Sequence, residues 1–223
     1  MNRLIAFGSS PIMALNKTIV PYPQIVADRL GIAYDSQVKP RTSNNKVARK
    51  ILSYKDYSDD MVLVSWATTI RAEFRSEHGW AATDMTTCVP GSGFEEYWYA
   101  GPGRWEYTGV STALKEILIA QSFLKSRGIP YMFTFDTNEI VHSQLYQRPD
   151  EYLGAIIKTI DHSRIFLFEN QGFVPWCESK GYARQQGNHF ETQAHEHAAD
   201  IINAHFRLGV ANSQPEAAAA HTP

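Results

Sequence analysis

Apolar residues occur in short unbroken runs that alternate with stretches of helical spacing. Leu4–Phe7 is an apolar run that stops at Gly8-Ser9-Ser10-Pro11, the pattern of a buried strand ended by a turn. Pro21-Tyr22-Pro23 then precedes Ile25, Val26 and Leu30, a helical face closed by Gly31. Ile32 to Val38 reads as a second strand. Thr42-Ser43-Asn44-Asn45 supplies N-cap residues for a helix carrying Val47, Ile51 and Leu52. Met61–Trp66, uncharged and β-rich, is the clearest buried strand. Strand, helix, strand, helix, strand is the order of a parallel α/β sheet covered on both faces.

The regular pattern breaks after Trp66. Residues 75–111 are rich in Gly, Pro, Trp and Tyr with weak periodicity, and read as an irregular insertion. Leu114, Ile117, Leu118, Gln121 and Leu124 mark a strong helix, and Tyr131–Asp136 a fourth strand. Residues 137–160 read as a second insertion with a short helix near Tyr152–Ile160. Arg164–Phe168 is a fifth strand or a buried segment, and a last helix runs from about Glu191 to Phe206. These elements form one domain, 1–208, followed by a tail, 209–223, with the composition of a flexible terminus.

Composition narrows the function classes. In 223 residues, 21 Lys+Arg face 23 Asp+Glu, a net charge of −2, so binding of nucleic acid or an anionic membrane by bulk charge is not expected. No run of 18 apolar residues occurs, so no membrane span is expected, and the N-terminus lacks a signal peptide's apolar stretch. A cytoplasmic location follows as the expectation. Two cysteines, Cys88 and Cys177, are too few for a disulfide framework or a Cys-rich zinc site. His189, His195 and His197 fall close together. His195 and His197, two apart on a helix, point to different sides, and no HExxH occurs, so neither a metal nor another cofactor is expected.

Ligands of parallel α/β sheets sit at the carboxyl ends of the strands. Here those ends carry Gly8-Ser9-Ser10, Ser43-Asn44, Trp66-Ala67-Thr68 and Asp136. Ser10, at a tight turn that Gly8 permits, is a candidate nucleophile; the same four residues also read as a plain turn. His189 is a candidate base. Asn188 and Glu191 match a capping box, which would put His189 in the first helical turn, where imidazolium is disfavoured. It also reads as a solvated cap residue. His195 would support the helix or the site by hydrogen bonding. The aromatic stretch 94–107, with Trp98 and Trp105, reads as core, subunit interface or sugar-binding surface.

Taken together, these blocks resemble the SGNH (GDSL) hydrolases, most closely their phage and bacterial branch. The Gly-x-Ser ending of the first strand, Ser43-Asn44 opening a helix, Trp66-Ala67-Thr68-Thr69-Ile70-Arg71 after the third strand, and Gly187-Asn188-His189 followed by His195 and Ala198 occur in the family's order over residues 4–206. The resemblance implies a flavodoxin-like three-layer α/β/α fold with a mostly parallel sheet. It also implies a serine esterase or deacylase acting on a small or carbohydrate-linked ester. Ser10 would be the nucleophile and His189 the base. Gly8, Asn44, Thr68 and His195 would support the site and its oxyanion, and Trp66, Arg71 and Trp98 would contact substrate. The chain departs from the family pattern in four places, one of them the third block's Asn, which is absent with Ala67 or Thr68 near its place. Ser9 replaces the Asp of Gly-Asp-Ser, Arg41 stands near the second block's Gly, and Gln186 occupies the place of the triad acid. The alternative is a degenerate SGNH-like protein serving as a structural or binding component of a phage particle or other assembly. Its partners would be copies of itself or phage structural proteins, in the virion or the host cytoplasm.

Overall fold

In the computed structural model, residues 1–13, 19–40, 42–69, 71–76, 79–84, 104–185 and 189–212 are described. Strands β1 (Arg3–Phe7), β2 (Ala33–Ser36), β3 (Asp60–Trp66) and β6 (Tyr131–Phe135) form a parallel sheet in the order β2-β1-β3-β6. The three inner-reading apolar runs are buried throughout apart from half-buried Arg3, whereas β2, at the edge, is exposed at Ala33 and Ser36. Alternation within each strand divides the core in two. Ile5, Phe7, Val62, Val64, Trp66 and Phe133 face helices α2 (Asn44–Ser53), α3 (Arg104–Ser126) and α5 (Glu151–Thr159). Leu4, Ala6, Met61, Leu63 and Met132 face α1 (Tyr22–Leu30), α6 (Phe173–Ser179) and α7 (Thr192–Asn212). This is the three-layer α/β/α arrangement the alternating pattern predicts.

Local chemistry sets the helix ends. Ser43 caps α2 by accepting from the Lys46 amide at 3.3 Å, and Asp150 caps α5 by accepting from Leu153 at 2.8 Å. Gly31 closes α1 in the left-handed conformation, at φ 67°.

The structure corrects and completes the expected elements. The first insertion is not irregular throughout: β4 (Arg71–Ser76) and β5 (Gly79–Asp84) form an antiparallel hairpin, and α3 already begins at Arg104. Residues 77–78 and 85–103 lie outside the described residues, Cys88 and Trp98 among them. The second insertion is largely helical, with α4 (Gln144–Gln147) preceding α5. Of the two readings of Arg164–Phe168, the structure has the buried segment, with Phe166 and Phe168 in the core and one parallel bridge from Ile165 to Phe133. The short helix α6, with Pro175 in its first turn, was not predicted. Helix α7 runs to Asn212, past the end expected near Phe206; residues 213–223 lie outside the described residues. Among the described residues, no helix is long and apolar enough to cross a membrane.

Candidate functional site

The register places the ends of β1, β3 and β6 side by side. Phe7 lies opposite Val64, Ser65 opposite Thr134 and Trp66 opposite Phe135. A Cβ added at Gly8 would lie 2.7 Å from the Ser65 carbonyl oxygen, so only glycine lets the end of β1 settle onto β3. Directly after it, Ser9 caps a single 3₁₀ turn, Ser10–Ile12, with Pro11 inside it. The Met13 amide donates to the Ser10 carbonyl at 3.1 Å and closes the turn. Ser9 is fully buried and Ser10 is half-buried, so the turn turns one hydroxyl inward and leaves the next accessible.

Asp136, one residue past β6, is enclosed beneath this turn. The Ser9 hydroxyl donates to its Oδ2, and the Ser65 hydroxyl donates to its Oδ1 at 2.6 Å. Its backbone is fixed on both sides: the amide donates to the Trp66 carbonyl at 2.8 Å, and the carbonyl accepts from Val174 at 2.9 Å. Burial pushes the Asp136 carboxyl up to about 6, while the two seryl donors and the charge of Arg71 favour its ionised form. Glu139 gathers the next loop. It accepts from the Thr68 hydroxyl, from the Thr69 amide at 2.7 Å and from the Thr69 hydroxyl at 3.0 Å.

His189 comes from the far end of the chain to the Ser10 turn. The Met13 backbone lies beside its ring and favours imidazolium. Burial acts more strongly and lowers the His189 pKa below the ordinary imidazole range. Its Nδ1 has no hydrogen-bond partner among the described residues. The helical placement expected for His189 is corrected. Phe190 forms a bridge with Arg184, the Gln185 amide donates to the His189 carbonyl at 2.8 Å, and α7 begins only at Thr192. Burial therefore keeps His189 neutral, not a helix N-terminus. Gln186 and Asn188 lie outside the described residues.

His195, in the first turn of α7, is fully buried. Its Nδ1 accepts from the Tyr22 amide at 3.3 Å, and its ring stacks on Phe173 at 5.1 Å between centroids. Burial, with the nearby His189 adding to it, pushes its pKa down to about 4.

The remaining predicted residues fare differently. Gly8 serves as expected of a support residue. The Asn44 side chain holds the Ala67 backbone from both sides, donating to its carbonyl at 3.1 Å and accepting from its amide at 2.8 Å. Thr68 spends its hydroxyl proton on Glu139. Both side chains thus build the loop after β3. Trp66, assigned to substrate contact, is instead a core residue: it is fully buried and meets Phe133 edge-on at 5.4 Å. Arg71 starts β4 within electrostatic reach of Asp136. Sequence reasoning singled out neither Ser65 nor Glu139, and treated Asp136 only as a strand end. The signal for Asp136 was its position directly after an apolar run. Elsewhere, a cavity of about 410 Å³ lined by His142, Tyr146, Gln147, His162 and Asn170, among others, touches none of the predicted residues.

No protein-family model matches the chain, and no curated protein sequence matches it. Among solved structures, the chain is similar to a psychrotrophic esterase, EstA, from Pseudoalteromonas sp., whose structure was determined inhibited by monoethylphosphonate. The identity is 9%, over 95% of this chain and 100% of that one, with a TM-score of 0.53. It is also similar to an acetyl xylan esterase, Est2A, from the rumen bacterium Butyrivibrio proteoclasticus, at 13% identity over 96% of this chain and 65% of that one, TM-score 0.49. A third is a protein of the G-D-S-L lipolytic family from Desulfitobacterium hafniense, at 9% identity over 92% and 99%, TM-score 0.46. With its four parallel strands covered by helices on both faces, the chain shares the α/β fold of the Pseudoalteromonas esterase.

Proposed function

We propose that the protein is an SGNH-type serine hydrolase that cleaves a small or carbohydrate-linked ester through Ser10 and His189. The observation that supports this most directly is the approach of the His189 ring to the Met13 backbone, three residues after Ser10 at the close of the same turn. The Ser10 oxygen would attack the ester carbonyl while His189 takes the hydroxyl proton. The imidazolium would return that proton to the departing alkoxide, and water would then release the acyl group by the same route. With Gln186 where the triad acid belongs, the Met13 carbonyl would orient the imidazole. Backbone amides of the Ser10 turn would stabilise the oxyanion, since Asn44 and Thr68 are engaged elsewhere. A near-neutral overall charge suits an uncharged acyl or sugar ester.

That engagement of Asn44 and Thr68 also motivates a second reading, a site that binds but does not turn over. One experiment separates the two: hydrolysis of short acyl p-nitrophenyl esters by the wild type, Ser10→Ala and His189→Ala. The expected loss is on the order of a thousandfold or more in kcat for each variant. Equal rates in all three proteins overturn the esterase reading.

A further inference from the structure

We propose that Asp136 is a positioning residue for the Ser10 turn, supplying from β6 the carboxylate that position 9 lacks. The inference rests on the reading of Ser10 as nucleophile. The resemblance places an acid immediately before the nucleophile; here that residue is Ser9. Ser9 is fully buried and its hydroxyl is aimed at Asp136. Because Ser9 caps the turn that begins with Ser10, a bond that fixes Ser9 also fixes the direction of the Ser10 amide and side chain. Asp136 is well suited to that task. Its backbone is tied to Trp66 and Val174, and a second seryl donor, Ser65, holds its other oxygen. A carboxylate with 2% exposure persists only where donors surround it, and these two donors come from the end of β3 and from the turn that follows β1.

The arrangement depends on protonation. An ionised Asp136 accepts from both serines. A protonated one must itself donate, so one serine loses its acceptor and turns. The charged and titratable groups facing Asp136 are Arg71 on β4, which favours the ionised form, Glu139 on the following loop, which opposes it, and the Tyr22 phenol of α1. Burial brings the Asp136 titration up to about 6 and moves that of His189 down from the ordinary imidazole range. Protonation of Asp136 would therefore add its own step to the acid limb of turnover.

The test measures kcat and KM for p-nitrophenyl acetate from about pH 4.5 to 8. The proteins are the wild type, Asp136→Asn, the exchange Ser9→Asp with Asp136→Ser, and Ser10→Ala as the baseline. Asp136→Asn is expected to lower kcat about tenfold or more with KM within about twofold. Its acid limb is expected to lose the step near pH 6, and the exchange to recover most of the lost kcat. If Asp136→Asn does not fold, Ser9→Ala carries the same test with the same expected loss. Unchanged kcat and an unchanged acid limb overturn the positioning role alone. A wild type no faster than Ser10→Ala overturns the esterase reading, and the positioning role falls with it.

Discussion

Asp136 and His195 are two enclosed ionisable groups on either side of Tyr22, and their surroundings answer burial in different ways. Tyr22 donates its amide to His195, and its hydroxyl lies 3.0 Å from that of Thr134, two residues before Asp136. Asp136 sits in a polar nest of hydroxyls that support its charged form, so burial raises it only to about 6. His195 sits among rings, stacked on Tyr22 and Phe173, with Nε2 lacking a partner among the described residues. Nothing there supports imidazolium, and its pKa falls to about 4. The donors leave Asp136 able to change charge near neutrality, while the aromatic nest fixes His195 as a neutral strut.

The most severe way to break this contrast is Phe173→Ala. It removes the stacked ring and opens a cavity beside His195, with an expected loss of about 3–5 kcal/mol in urea melts. In the same variant the His195 titration, followed by NMR, should rise from about 4 toward 6.5. A titration that stays near 4 would clear Phe173 of any part in it.

The second test uses the signs of the two shifts. Between its ordinary 3.8 and about 6, Asp136 holds a proton only when folded, so its contribution to stability falls as pH rises. Between about 4 and 6.5, His195 takes a proton only when unfolded, so its contribution is lost as pH falls. Each effect is on the order of 3 kcal/mol across its window, and the two oppose each other from about pH 4 to 6. Asp136→Asn should leave stability rising with pH through that window, and His195→Phe should leave it falling. Parallel slopes in the two variants would contradict the contrast.

The smallest expected effect sharpens the Asp136 side alone. Ser65→Ala removes one donor to a charged acceptor. It should cost about 1.5 kcal/mol at pH 7.5 and raise the Asp136 titration further above 6, as read by carboxyl NMR.

What could be read from the sequence follows the same physics. Strands β1, β3 and β6 were legible because each is nearly uncharged and buried on both faces. The hairpin β4–β5 was hidden because Arg71, Glu73 and Arg75 break any apolar run. Helix α6 was hidden because it is short and holds a proline. Ser10 and His189 were singled out from turn chemistry and block order, and His189 does not open the helix as that reading expected. Ser65 could not be found from the sequence: one serine inside Met61–Trp66 reads as filler, and only the register against β1 and β6 shows what it holds. Asn44 and Thr68 were placed at the right strand ends, but which way their donors point is a tertiary fact.

The close seat of β1 on β3 has a consequence for the chain's tolerance of change. At Gly8 even the single methyl of alanine would strike the Ser65 carbonyl, and at Gly172 it would come within 2.6 Å of the Thr137 carbonyl, where the Asn138 side chain already grips the backbone. In both places the obstacle is main chain, which cannot swing aside as a side-chain tip can. In a library that samples every substitution, these two positions would return almost no survivors, even under selection for folding alone. They would be empty columns flanking a site whose polar residues tolerate more.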